Sequence, residues 1–270
     1  MASRTRSILT AVVAALGFGV AFYMGVQTHL GQRVEERVLD SSIYSERSPL
    51  LALVTVPNLA IALGVILVLG VARRAWADTA VAAVAMGLSN VFGQLLKHQI
   101  LQRPDFSIDT VNTFPSGHTI AFTSTAFALV IVLPHVVRPL ALPLAAAVAG
   151  IVCAQLVVFG WHRPSDVVGG VLLVVAVTAA ANALRPARGR FAQRAAKAPA
   201  RRALNLVSLI IAIAAAASIA LAGTLAALHL LGPLEDSAWT LTVAAASGVI
   251  GGALASSAAI GWMLAARRSR

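Results

Sequence analysis

Eight stretches of this 270-residue chain, each 18 to 28 residues long, contain no aspartate, glutamate, lysine or arginine. They run from Ile8 to Val26, Leu50 to Val71, Thr79 to Leu96, Thr119 to Val137, Leu140 to Phe159, Val167 to Leu184, Leu204 to Leu231 and Trp239 to Ala266. A bilayer core takes about 20 apolar residues per crossing helix, and within it a lone segment satisfies its backbone polar groups only as a helix. The chain is therefore read as all-α, a polytopic bundle of transmembrane helices. With 59% hydrophobic and only 11% charged residues, against roughly a quarter charged in soluble domains, an ordinary water-soluble globule is excluded. Arg4 and Arg6 before the first run resemble the start of a signal peptide. That run is long, however, and no small-residue cleavage site follows it, so it is taken as an uncleaved first span.

The net charge of +11 would suggest nucleic acid if the basic residues formed one patch. They lie between the apolar runs instead, which points to the lipid bilayer as partner and not to nucleic acid. Lysine and arginine are retained on the cytoplasmic side. With the N-terminus inside, fifteen of the twenty-one basic residues fall in inner segments: Arg4, Arg6, Arg73, Arg74, Arg138, the cluster from Arg185 to Arg202, and Arg267, Arg268 and Arg270. Both termini are thus expected in the cytoplasm of a plasma-membrane protein. Cys153 is the single cysteine, which rules out an internal disulfide, and it reads as a small apolar packing residue.

The first outer loop, His29 to Pro49, sets Glu35, Glu36, Asp40 and Glu46 beside Val34, Val38 and Leu39. It reads as a short surface helix, either guiding substrate or, as the plainer alternative, serving as a solvated connector. The glycines at 169, 170, 248, 251 and 252 permit close approach between helices. The last two apolar runs carry none of the polar motifs and read as an appended pair.

Polar clusters at span ends are costly to keep near a bilayer, and two outer loops hold them. One reads Lys97-His98-Gln99-Ile100-Leu101-Gln102-Arg103-Pro104 and continues to Phe114-Pro115-Ser116-Gly117-His118; the other reads Gly160-Trp161-His162-Arg163-Pro164-Ser165-Asp166. Around Pro115, a hydroxyl, a glycine and a helix N-terminus form a plausible anion cradle, and His118 stands where it can give a proton to a leaving oxygen. On its own, a histidine at a span end is more often structural. His162 and Asp166 are four apart, so on a helix they share one face. A carboxylate on one ring nitrogen leaves the other free as nucleophile or base; a surface capping pair is the alternative. The charge-derived topology brings both loops out on one side, gathering two histidines, a carboxylate, a lysine and an arginine. Phosphoryl transfer needs such a set.

These motifs resemble the PAP2 superfamily of lipid phosphatases and phosphotransferases, whose pattern is a lysine before Arg-Pro, then Pro-Ser-Gly-His, then Ser-Arg followed by His-x-x-x-Asp. The resemblance covers roughly Leu50 to Leu184. It implies a six-helix core over 1–184, joined by a basic cytoplasmic linker (185–203) to two extra C-terminal spans (204–270). It further implies His162 as a nucleophile forming a phosphohistidine, Asp166 as its orienting partner and His118 as the acid. Lys97, Arg103, Ser116 and Gly117 would bind phosphate, with no metal or cofactor. The implied substrate is a membrane lipid phosphate or pyrophosphate, with a polyprenyl phosphate first, handled at the extracytoplasmic face. Two positions depart from the pattern. Five residues instead of six separate Lys97 from Arg103, and the Ser-Arg pair falls on Gln155 and Leu156. Arg163 is the candidate replacement for the missing guanidinium, set against an outward-facing charge at the headgroups. A noncatalytic lipid-binding or scaffold protein is the rival reading.

Overall fold

A computed structural model describes residues 2–44, 48–108, 111–185, 198–232 and 238–265. Among these residues the chain forms nine α-helices and no strand: α1 (Ala2–Ala21), α2 (His29–Asp40), α3 (Val56–Ala72), α4 (Trp76–Leu95), α5 (Gly117–Val132), α6 (Arg138–Val158), α7 (Pro164–Ala183), α8 (Ala198–Leu230) and α9 (Ala238–Ala265). Each apolar run read from the sequence is built mainly on one α-helix, although the run from Leu50 opens in a 3-10 turn (Leu51–Leu53) before α3 and the run from Thr119 continues past the end of α5 at Val132; α2 is the short helix expected in the first outer loop. Glu46, most of the basic 185–203 segment, Ala266 and the C-terminal arginines lie outside the described residues.

Six helical segments are long and apolar enough to cross a membrane: Arg4–Val26, Trp76–Ile100, Arg138–Val158, Pro164–Ala183, Pro199–Leu230 and Trp239–Ala265. The apolar helices α3 and α5 are shorter, at 17 and 16 residues, or about 25 Å of rise. Their starts are set by side-chain caps, Thr55 Oγ1 accepting from Asn58 N at 3.3 Å and Ser116 Oγ accepting from Thr119 N at 3.3 Å. Large apolar side chains stand exposed along α1 (Val13, Leu16, Val20), α3 (Ile61, Val65, Val68), α6 (Leu140, Leu144, Ile151) and α8 (Ile210, Ile213). A surface this apolar suits contact with lipid, in keeping with the length and composition of the six long helical segments.

The core lies where α4, α5, α6, α7 and α9 meet, with Phe127, Ile131, Leu142, Val152, Leu156, Val174 and Ile260 buried. Cys153 is part of this core. Helix α1 packs on α7, and α9 packs on α6 and α7 as well as on α8, so the apolar interior is continuous from α4 to α9. The paired glycines of α7 admit a loop as well as a helix. A Cβ at Gly169 would fall 2.4 Å from the Phe114 ring, and one at Gly170 would fall 3.0 Å from the Ser116 carbonyl.

At one end of the bundle Asp78 and Arg138 are both buried, 3.2 Å apart, and Arg185 also pairs with Asp78. Arg138 additionally donates to the Leu133 carbonyl. Arg138, expected in the loop between two spans, is thus the buried first residue of α6. The knot ties the start of α4, the α5–α6 turn and the end of α7, and its charges persist under burial because they are paired and hydrogen-bonded.

Candidate active site

At the other end, the two polar loops meet. The first leaves α4 through a π-helical turn, Leu96–Ile100, that carries Lys97. Such turns recur at functional sites. Asn112 pins the loop, its Nδ2 donating to the carbonyls of Lys97 at 3.1 Å and Leu101 at 2.8 Å. Phe114 is fully buried against Phe18 and Phe22, with ring centroids 5.0 and 5.3 Å away. Ser116 then caps α5, wholly buried, and its backbone N–H donates to the Asp166 carbonyl at 2.9 Å. That bond joins the start of α5 directly to the start of α7. Gly117 follows with the Gln94 amide above it; a Cβ there would sit 3.4 Å from Gln94 Nε2.

In the second loop Arg163 is the N-cap of α7 and Pro164 its first residue. His162 therefore precedes the helix, and the expected shared helical face does not form. The four-residue spacing still brings the pair together by another route. Asp166, on the first turn, turns its carboxylate back towards the chain entering the helix. Its Oδ2 accepts from Arg163 N at 3.2 Å and lies 3.3 Å from His162 Nδ1. Thr113 of the first loop donates to the same oxygen at 2.6 Å. With Nδ1 occupied in this way, Nε2 is the ring nitrogen left to other chemistry.

The His118 and His162 rings lie 6.1 Å apart at 61°, and Trp161 packs edge-on to His118 at 5.5 Å. His162 is buried and His118 half-buried. Lys97 lies within electrostatic reach of both His118 and Asp166. Arg103 is buried and acts electrostatically on Glu35. All eight residues singled out from the sequence, Lys97, Arg103, Ser116, Gly117, His118, His162, Arg163 and Asp166, thus belong to the two loops and helix starts at this end.

Arg163 does not project outward as a headgroup-level charge. It is 3% exposed, donates from Nη1 to Thr113 Oγ1 at 3.2 Å and pairs with Glu36 at 3.6 Å. Arg163, Thr113 and Asp166 form a chain of contacts that ends on the carboxylate beside His162. Position 156 holds no cation. The Leu156 side chain is fully buried in the core, while its carbonyl accepts from the backbone N–H groups of Trp161 and His162 at 2.9 and 3.1 Å.

Helix α2 is more than a solvated connector. Thr28 Oγ1 caps it by accepting from Gly31 N at 3.0 Å, and Gln32 Nε2 donates to the carbonyls of Val26 at 2.8 Å and Pro104 at 3.0 Å. Its buried face carries Gln32, Glu35 and Val38, whereas Val34 is exposed. The buried face is thus largely polar, because it covers the polar end of the bundle. Glu35 accepts from Ser165 N at 2.7 Å, and its other carboxylate oxygen lies 3.1 Å from Ser165 Oγ. Burial, then the negative charge of Asp166, push the Glu35 carboxyl up to about 7, against the bonds from Ser165 and the charge of Arg103.

Thr113, Asn112, Gln32 and Glu35 were not identified as site residues from the sequence. One signal was present for Glu35. His162-Arg163-Pro164-Ser165-Asp166 opens a helix with an N-cap that has no side-chain oxygen, so an acceptor for the first free N–H must come from elsewhere.

Residues 78–190 match the sequence profile of the PAP2 superfamily. The match runs from the first turn of α4 through α7 and takes in every candidate residue, and it begins later than the resemblance read from Leu50. No curated protein and no solved structure matches the chain.

Proposed function

We propose that this multi-pass membrane protein, whose residues 78–190 match the sequence profile of the PAP2 superfamily, is a metal-independent phosphatase that hydrolyses a lipid phosphate or pyrophosphate through a phosphohistidine. The observation that carries the reading is the meeting of His162, held by Asp166 at 3.3 Å, with His118, the ring centroids 6.1 Å apart. In the proposed reaction, His162 Nε2 attacks phosphorus, the bond from phosphorus to the leaving oxygen breaks, and His118 delivers a proton to that oxygen. Water then attacks the phosphohistidine and gives a proton back to His118 as the bond from phosphorus to Nε2 breaks, releasing inorganic phosphate and restoring both imidazoles. Asp166 holds the ring and stabilises its positive charge, as an oriented carboxylate does beside a reacting histidine. Lys97, Arg103 and the free N–H groups at Gly117 and His118 supply positive potential for the phosphoryl oxygens. Ser116 enters as the cap that fixes those N–H groups. Arg163 enters through Thr113 and its own charge.

The fifteen-to-six distribution of basic residues supports a site on the extracytoplasmic face of the plasma membrane with both termini inside. A lipid with a single phosphate or pyrophosphate head, a polyprenyl phosphate first, is the substrate class we propose. Residues 1–184 would form the catalytic core and 204–270 an extension. Release of inorganic phosphate from such lipids by the purified protein in detergent, with chelator present, tests the reading. The rival, a noncatalytic lipid-binding protein, is favoured by one observation: Leu156 stands where the family pattern has its arginine, and Arg163 is engaged by Thr113 and Glu36. Tight binding of lipid phosphate with no phosphate release would select it.

A further inference from the structure

We propose that Glu35 is a positioning residue for the phosphate site: from α2 it caps the first turn of α7 and so fixes the Asp166–His162 pair. The inference rests on the phosphatase reading for its activity test, and it has a geometric basis of its own. A helix leaves its first N–H groups without partners in the helix. Arg163, at the N-cap of α7, has no side-chain oxygen to offer, and Pro164 has no N–H. The next N–H, that of Ser165, is taken by Glu35 Oε1 at 2.7 Å, with the second carboxylate oxygen 3.1 Å from Ser165 Oγ. An acceptor 130 residues earlier in the chain thus does what a serine or aspartate N-cap does locally. Ser165 lies between Arg163 and Asp166, so a shift of this turn moves both the N–H that orients Asp166 and the carboxylate itself.

A third element is shaped around the contact. Gly25 lies in the π-helical turn Phe22–Val26, where a Cβ would fall 2.4 Å from Ser165 Cβ and 3.1 Å from Glu35 Oε1. Only glycine leaves space for the pair. The charged groups acting on Glu35 are Asp166 from α7 and Arg103 from the 101–116 loop. Glu36, its neighbour on α2, is directed to Arg163, and Tyr23 of the π-helical turn is exposed.

The charge state gives a test that separates positioning from bulk support. The folded carboxyl titrates near 7 against 4.5 for the free side chain. Its contribution to stability is therefore full below about 4.5, declines as pH rises towards 7, and is lost above it. Glu35→Gln keeps an acceptor for Ser165 N and cannot ionise. It should hold kcat within about threefold, while Glu35→Ala and Gly25→Ala lose at least about tenfold in kcat with little change in KM. The melting temperature of Glu35→Gln should gain on wild type as pH is raised from about 5 to about 8. Its kcat/KM profile should also shift to lower pH, because one negative charge near Asp166 has been removed. Wild-type kcat in Glu35→Ala, or a Glu35→Gln profile that coincides with wild type, overturns the proposal. Should the wild type release no phosphate from any lipid phosphate, the phosphatase reading fails separately. Orthovanadate binding, read as thermal stabilisation, then decides: at least about tenfold weaker binding in Glu35→Ala than in Glu35→Gln supports the proposal, and equal binding overturns it.

Discussion

Thr113→Val removes one hydroxyl from the site and almost no volume, so it isolates what the first loop contributes to the second. The Thr113 hydroxyl donates to Asp166 Oδ2 at 2.6 Å and accepts from Arg163 Nη1 at 3.2 Å. A hydrogen bond to a charged group contributes about 1.5 to 3 kcal/mol net. If that loss falls on the step in which His162 becomes cationic, when the Asp166 charge matters most, it amounts to roughly 10- to 150-fold in kcat. Some of the loss should also reach the ground state, so a fall of about 10- to 50-fold is expected, with KM changed by less than about threefold. Phosphate release from a lipid phosphate in detergent micelles measures the effect, and thermal unfolding of the same preparation checks the fold. Thr113→Ser, which keeps the hydroxyl, should stay within about threefold of wild type. Equal kcat for Thr113→Val and wild type would refute the view that Asp166 must be held from the first loop.

His118→Ala should lower turnover of alkyl phosphates far more than that of substrates whose leaving oxygen needs no proton, and comparing the two on one preparation checks the acid assignment. Arg163→Ala should lower phosphatase activity by at least about tenfold, since it removes both a cation near the site and the donor to Thr113; wild-type turnover would show that the arginine is dispensable. In a Cys153→Ala background, single cysteines at Ser107 and Arg74 should react with an impermeant thiol reagent from opposite sides of the membrane. Both positions are exposed in loops at opposite ends of the bundle, and labelling from the same side would contradict the charge-derived topology.

Much of the fold was legible because the bilayer imposes a simple rule. Uncharged runs become helices, and each of the eight runs is built mainly on one. Boundaries moved where charge is buried by pairing. Asp78 and Arg138, placed outside the spans by a rule that reads charge as exposed, begin α4 and α6 with both side chains enclosed. The clustering of the candidate site followed from the alternation of loops between two sides, which needs no side-chain detail. The local geometry did not follow. A four-residue spacing is compatible with a helical face and with a helix start, and His162 with Asp166 adopts the second arrangement because Pro164 opens the helix between them. Thr113 and Glu35 were hidden for a different reason. Their partners lie 53 and 130 residues away in sequence, a separation that no local pattern spans. An N-cap with no acceptor at Arg163 signalled that a distant partner was needed without saying which.

The central claim is that His162 becomes covalently phosphorylated, and trapping that species tests it most directly. Protein quenched in alkali during turnover of a lipid carrying radiolabelled phosphate should retain label that is stable to base and released by acid, as expected of a bond from phosphorus to an imidazole nitrogen. Proteolysis should place the label on the peptide containing His162, and His162→Ala should show neither label nor turnover, because no neighbouring group replaces a positioned nucleophile. Turnover without trapped label at His162 under conditions that preserve phosphohistidine, or near-normal activity in His162→Ala, would contradict the account.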